Sequence, residues 1–188
     1  MKYVCFDVET GGTDASKVSL LEAAFVVVDS YTREKQSLIL KIKPDDDIYH
    51  VQAEGLGVNK INLVEHDKVA ITTSKAKTVL FDFLKTHSDN GKSKLAPLGH
   101  NVKFDIDFIQ AHLLTKNTWN MFVSYRPRDT GTLGTMLKDA ELIPSNITGS
   151  LESYASFFGL SGYDFHTAMG DVDCTLDVYF KMMEMVKR

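Results

Sequence analysis

The stretch Tyr3-Val4-Cys5-Phe6-Asp7-Val8-Glu9-Thr10-Gly11-Gly12 constrains the fold of this chain more than any other. Tyr3 to Phe6 is short, apolar and rich in β-branched and aromatic side chains, as a fully buried strand would be. Asp7 and Glu9 stand at its end, and Gly11-Gly12 closes it. Residues i and i+2 of a strand point to one face, so both carboxylates project together. Two acids side by side repel unless a positive charge lies between them, and their oxygens suit a divalent metal. The plainer reading is a pair of solvated acids at an ordinary strand-to-turn junction, and this stretch alone does not separate the two.

A chain of 188 residues can enclose one sizeable core, so a single domain over residues 1–188 is expected. No apolar run approaches the ~20 residues that a membrane-spanning helix needs. Asp7 and Glu9 interrupt the N-terminus too early for a signal peptide. Cys5 and Cys174 give neither a disulfide framework nor a metal-binding spacing, so both are expected to be reduced core residues in a cytoplasmic protein. A net charge of −4 argues against a strong non-specific coat on nucleic acid, though an acidic metal site contributes to that charge itself. Local basic residues do occur, at Lys92, Lys94 and Lys103 and at Arg126 and Arg128.

Leu20 to Val28 is an apolar run interrupted by Glu22, and Arg33 to Lys43 alternates with Leu38, Leu40 and Ile42 on one face. These predict an antiparallel hairpin turning near Asp29-Ser30, beside the first strand. Residues 48–73 carry no clear period and read as short helices and loops. A helix is expected from Ser74, as N-cap, to Thr86, then a short strand over Leu95–Leu98 and a helix to about Leu114. Met121–Tyr125 is read as the fifth strand and Thr130–Asp139 as a helix. Another helix follows Gly149-Ser150 to Phe158, with Gly159 as its stop, and the last starts near Asp171. The pattern predicts an α/β architecture, a five-stranded mixed sheet flanked by helices on both faces.

Two further acids stand near helix starts. Asp105 shares a helical face with Phe108, Ile109 and His112, where a carboxylate is costly unless paired or coordinated. Asp171 repeats the theme in the last helix. For each, complementing the helix dipole is the plain reading. His166 precedes Asp171 in a segment flanked by Gly162 and Gly170, which suggests a mobile loop, and imidazole suits proton transfer near neutral pH.

Taken together, Asp7-x-Glu9-Thr10-Gly11, then Gly99-His100-Asn101-x-x-Phe104-Asp105, then His166-x-Ala168-x-x-Asp171 resemble the DEDDh family of 3′→5′ exonucleases, from Tyr3 to the final helix. Asp129-Thr130 is similar to the Asp-Thr step that follows the family's fifth strand. The resemblance implies a ribonuclease H-like fold and hydrolysis of nucleic-acid phosphodiesters from the 3′ end, releasing nucleoside 5′-monophosphates. It implies two Mg²⁺ or Mn²⁺ ions on Asp7, Glu9, Asp105 and Asp171, with Asp7 bridging both and His166 as the base. Two such ions ~4 Å apart can serve the attacking and leaving oxygens together. Thr10, Asn101 and Phe104 are the implied substrate-binding residues, with backbone amides near Thr10 at the terminal 3′-hydroxyl. The expected partners are single-stranded 3′ ends of DNA or RNA; a polymerase and a second copy of the chain are further candidates, and a membrane is not. The chain departs from the family at Thr13, where many members carry a leucine or phenylalanine that wedges against the terminal base.

Two rival readings compete with this one. An aspartate-nucleophile phosphatase also opens with acid-x-acid-Thr after a buried strand, but it needs an acidic pair four apart late in the chain, and Asp171 is followed there by Thr175. A nucleic-acid-binding module with a degenerate site would lack functional positions that are all filled here.

Overall fold

The computed structural model describes residues 1–187. β1 (Lys2–Thr10) lies inside a six-stranded sheet of order β4-β3-β2-β1-β5-β6. β2 (Leu20–Asp29) runs antiparallel to it and β3 (Lys35–Lys43) antiparallel to β2, which forms the expected hairpin. Then come α1 (Ala53–Asn59), α2 (Leu63–Asp67), β4 (Ile71–Thr72) and α3 (Thr73–His87). β5 (Ala96–Gly99) pairs parallel with β1, and α4 (Lys103–His112) and α5 (Lys116–Phe122) follow. β6 (Arg128–Asp129) pairs parallel with β5 and leads into α6 (Thr130–Asp139), α7 (Leu151–Phe157) and α8 (Ala168–Val186).

The period of two in β1 sorts its side chains onto two layers. Val4, Phe6 and Val8 enter a cluster with Leu80 and Leu84 of α3, Phe108 of α4 and Trp119 of α5, where the Phe6 and Trp119 rings meet edge to face at 5.4 Å. Cys5 faces the other way, with Ala24 and Val26 of β2, against Val172 and Leu176 of α8. Burying apolar area on both faces supplies the main driving force for the fold. It also sets the parity of Asp7 and Glu9, which follow Cys5 onto the α8 side.

The sheet has six strands, not five. Met121–Tyr125 is not a strand: Trp119 and Phe122, three apart, bury one face of α5, whose Thr115 cap accepts the Thr118 N–H, and only Leu95↔Val123 forms an isolated bridge. The two edge strands are β6 and β4, each a two-residue element too short to leave a period. α3 is capped by Thr72 rather than Ser74, whose N–H and hydroxyl both donate to Asp45. α8 begins at Ala168, earlier than expected, because Thr167 accepts the Gly170 N–H; this puts Asp171 inside the first turn. Cys5 and Cys174 are buried free thiols, as expected. Among the described residues no helix is long and apolar enough to cross a membrane.

β1 outruns its parallel neighbour. Pairing with β5 covers only Tyr3, Val4 and Cys5, whereas β1 continues to Thr10. Beyond Cys5 the β5 side of β1 has no strand beside it, and the acids sit on this overhang.

Candidate active site

The overhang of β1 forms the floor of a cavity of about 550 Å³. Asp7 and Glu9 reach it from β1, Asn101, Phe104 and Asp105 from the β5–α4 junction, and His166 and Asp171 from the start of α8. A second cavity of about 270 Å³ continues past Asp7, Asn101, His166 and Asp171 towards Glu152 at the start of α7. The structure therefore places all eight expected site residues around one cleft. Thr10 lines it too, but its hydroxyl is spent on the Gly12 carbonyl at 2.6 Å.

One carboxylate oxygen each from Asp7, Glu9 and Asp171 lies within 4.8 Å of the other two. Asp105 stands outside this trio. It is 3% exposed, and its Oδ1 accepts the Val8 N–H at 3.1 Å. That donor lies on the overhang, where no strand accepts it, so Asp105 takes the place of a missing carbonyl. Glu22 is opposite Glu9 across the β1–β2 ladder and adds a further negative charge.

The electrostatics follow from this crowding. Burial first, then the charges of Asp105, Asp171 and Glu9, hold Asp7 well above the usual carboxylate range. Burial, Asp171 and Glu22 push Glu9 up to about 7, while an Asn59 hydrogen bond works the other way. Burial pushes Asp171 up to about 6, opposed by the hydrogen bond it accepts from the His166 N–H. Burial also raises Asp105 against two backbone hydrogen bonds. Acids packed this closely take up either protons or a cation. A set made only of carboxylate oxygens suits a hard divalent ion. Among the described residues, neither cavity lining includes a lysine or arginine that could supply the charge instead. Lys103 pairs with Asp107, and an Arg128 guanidinium N–H donates to the Arg126 carbonyl.

His166 adopts a left-handed backbone conformation, φ +65°, and presents Nε2 3.6 Å from Oε1 of Glu152. Gly170 is not a hinge for it. A Cβ there would collide with the Asp164 carbonyl, so glycine is required for the tight approach of the loop to α8. The Thr167 hydroxyl, donating to Asp164 O at 2.6 Å, ties the same turn down.

Sequence reasoning missed one wall of the cleft. Val58 and Asn59 of α1 and Gln52, its N-cap, come from the stretch with no readable period. α1 is drawn in by Gly55, whose Cα faces the Gly11–Gly12 backbone so closely that a Cβ would lie 2.7 Å from the Gly11 carbonyl carbon. Asn59 Nδ2 then donates to Thr10 O at 3.0 Å. The three glycines were the available signal. Where Thr13 leaves no apolar wedge, Val58 and Phe104, 57% and 37% exposed, supply the apolar surface of the cavity. Asp129 is accounted for as well: its carboxylate accepts the N–H of Val102 and of Thr132, joining the starts of α4 and α6.

No family model matches the sequence. Curated relatives do. Ribonuclease T of Wigglesworthia glossinidia brevipalpis is 26% identical over 192 residues, covering 98% of this chain and 86% of that protein. Ribonuclease T of Haemophilus influenzae is 27% identical over 191 residues, covering 98% and 80%. Among solved structures, the zinc-bound complex of E. coli exonuclease I with single-stranded DNA matches 100% of this chain with a TM-score of 0.71 at 21% identity. The same enzyme with a dT13 oligonucleotide matches 97% of this chain with a TM-score of 0.69 at 20% identity. This chain spans only 40–41% of the length of those exonuclease I chains, and at such identity their likeness bears on the fold alone. The chain is therefore similar in sequence to ribonuclease T along almost its whole length, on a fold that exonuclease I also has.

Proposed function

We propose that residues 1–188 act as one exonuclease domain that removes nucleotides from single-stranded 3′ ends by hydrolysis, releasing nucleoside 5′-monophosphates. The observation that carries this reading is the convergence of Asp7, Glu9 and Asp171 on one point at the end of β1, in a cleft whose lining among the described residues holds no lysine or arginine. A phosphodiester brings negative charge into a site that is already negative. Two Mg²⁺ or Mn²⁺ ions would neutralise that charge and polarise the attacking water.

In this reading Asp7, Glu9, Asp105 and Asp171 hold the ions. The charges of Asp105, Asp171, Glu9 and Glu22 all act on Asp7, which supports it as the residue to serve both ions. His166 accepts the proton of the attacking water. Phe104 and Val58 offer apolar contact to the terminal base, Asn101 a polar one, and the backbone at Thr10 a seat for the terminal 3′-hydroxyl. The relatives are named ribonuclease T, and the exonuclease I structures contain DNA oligonucleotides, so RNA and DNA single strands are both to be tried.

The test is digestion of matched 5′-labelled RNA and DNA single strands with Mg²⁺, with Mn²⁺ and with chelator. Stepwise shortening from the 3′ end that requires the cation supports the reading. Cation-independent binding without shortening of either strand would overturn it.

A further inference from the structure

Glu152 belongs to no motif, yet it lies in the second cavity with Asp7, His166 and Asp171. Its Oε1 is 3.6 Å from His166 Nε2, and both side chains are about half exposed. Such a pair on an outer surface would carry little weight. This one is held from both sides. Leu151 and Ala155 of α7 share an apolar cluster with Tyr163 and Phe165, so the backbones carrying Glu152 and His166 rest on one packed unit. The start of α7 is tied by the Ser153 N–H to Ser150 Oγ at 3.2 Å and by the Thr148 N–H to Ser153 Oγ at 3.1 Å. On the other side, the left-handed φ of His166 and its N–H on Asp171 limit where the imidazole can go.

We propose that Glu152 is a positioning residue for the imidazole of His166, a role that rests on the reading of His166 as the base. An imidazole that takes a proton must present a lone pair on one nitrogen, and a partner on the other nitrogen decides which. A carboxylate at Nε2 favours the proton there and leaves the lone pair on Nδ1. Nδ1 then takes a proton from water, and the resulting hydroxide attacks phosphorus. The bond from phosphorus to the 3′ oxygen of the shortened strand breaks. The imidazolium that remains is offset by Glu152. A separation of 3.6 Å is long for a hydrogen bond, and such contacts commonly shorten when substrate binds.

The experiment is a double-mutant cycle on the full chain, with labelled single strand and Mg²⁺. Glu152→Gln is expected to lower kcat about 10-fold or more, with KM and the Mg²⁺-induced rise in Tm unchanged. On a His166→Ala background it should cost little further, because the role assigned to Glu152 runs through that ring. Glu152→Asp, which keeps the carboxylate, should recover part of the loss. A second readout needs no turnover: ¹⁵N spectra of the His166 ring should show the Nε2–H tautomer in the wild type and a mixture in Glu152→Gln. Wild-type kcat in Glu152→Gln, or an equal fold-loss on both backgrounds, would overturn the positioning role while leaving His166 as base. Wild-type kcat in His166→Ala would overturn the base reading and this proposal with it.

Discussion

Asp105 and Asp171 look alike in the sequence: each is an acid in the first turn of a helix. In the structure they are held in opposite ways. Asp105 is buried, stands outside the carboxylate trio, and is strapped to β1 through the Val8 N–H. Asp171 is partly exposed, sits inside the trio, and has the His166 backbone as its hydrogen-bond partner. One acid is part of the sheet's hydrogen bonding and the other is coupled to the segment that carries the imidazole. The difference teaches that the shared role in holding a cation proposed for the two acids does not require a shared structural role, so their replacements should fail differently.

The largest effect should come from the trio. Asp171→Asn, like Asp7→Ala, is expected to lower turnover by about 10³-fold or more, the scale of removing a group that organises transition-state charge. The cation-free protein should at the same time unfold at an equal or higher temperature, because a raised carboxylate pKa marks a charge that opposes folding. Turnover and cation-free Tm measured side by side check this; a lower Tm would place Asp171 with Asp105. His166→Ala should cost ~10²–10⁴-fold in turnover. The Tm rise on adding Mg²⁺ should survive, since no ligand role is given to that ring, and a lost Mg²⁺ response would show the two to be inseparable.

The third effect is on pH. With Glu9 raised to about 7 and Asp171 to about 6, protons compete with a cation across that range. Without cation, the stabilising contribution of these acids is fully present below the ordinary carboxylate value near ~4 and is lost as pH rises through about 6 to 7. The Mg²⁺-induced Tm rise should therefore be large at pH 8 and small at pH 5.5, measured by thermal melts at each pH. An equal rise at both would remove the trio from cation binding. The smallest effect isolates the strap. Asp105→Ala leaves the Val8 N–H without its acceptor and should cost ~1–3 kcal/mol of stability. Asp105→Asn keeps an acceptor oxygen and should cost less, and denaturant titration of both variants compares them.

What could be read from the sequence depended on length and period. The hairpin, the parity of Asp7 and Glu9, and α6 at Thr130–Asp139 all come from runs long enough to show one. The failures are short or masked. α1 has seven residues, two of them glycine, and its Gln52 cap makes no side-chain hydrogen bond, so nothing marks its start. Met121–Tyr125 has the composition of a strand, but Trp119 and Phe122 needed the helical face to reach the core. At the site, residue types and order were enough to suggest the acids and His166. Glu152 and the α1 wall were not legible, because each joins the cleft only through the folding of segments far away in the chain.

The overhang of β1 has one more consequence. The cleft lies where two or three more residues of β5 would otherwise run, with Asp105 standing in for one of their carbonyls. The cleft is a gap in the sheet, and the chemistry proposed for it depends on that gap staying open. A β5 lengthened by two residues should complete the ladder and satisfy Val8 without help from Asp105. It would also fill the space a 3′ terminus must enter, giving a protein at least as stable and unable to take up its substrate.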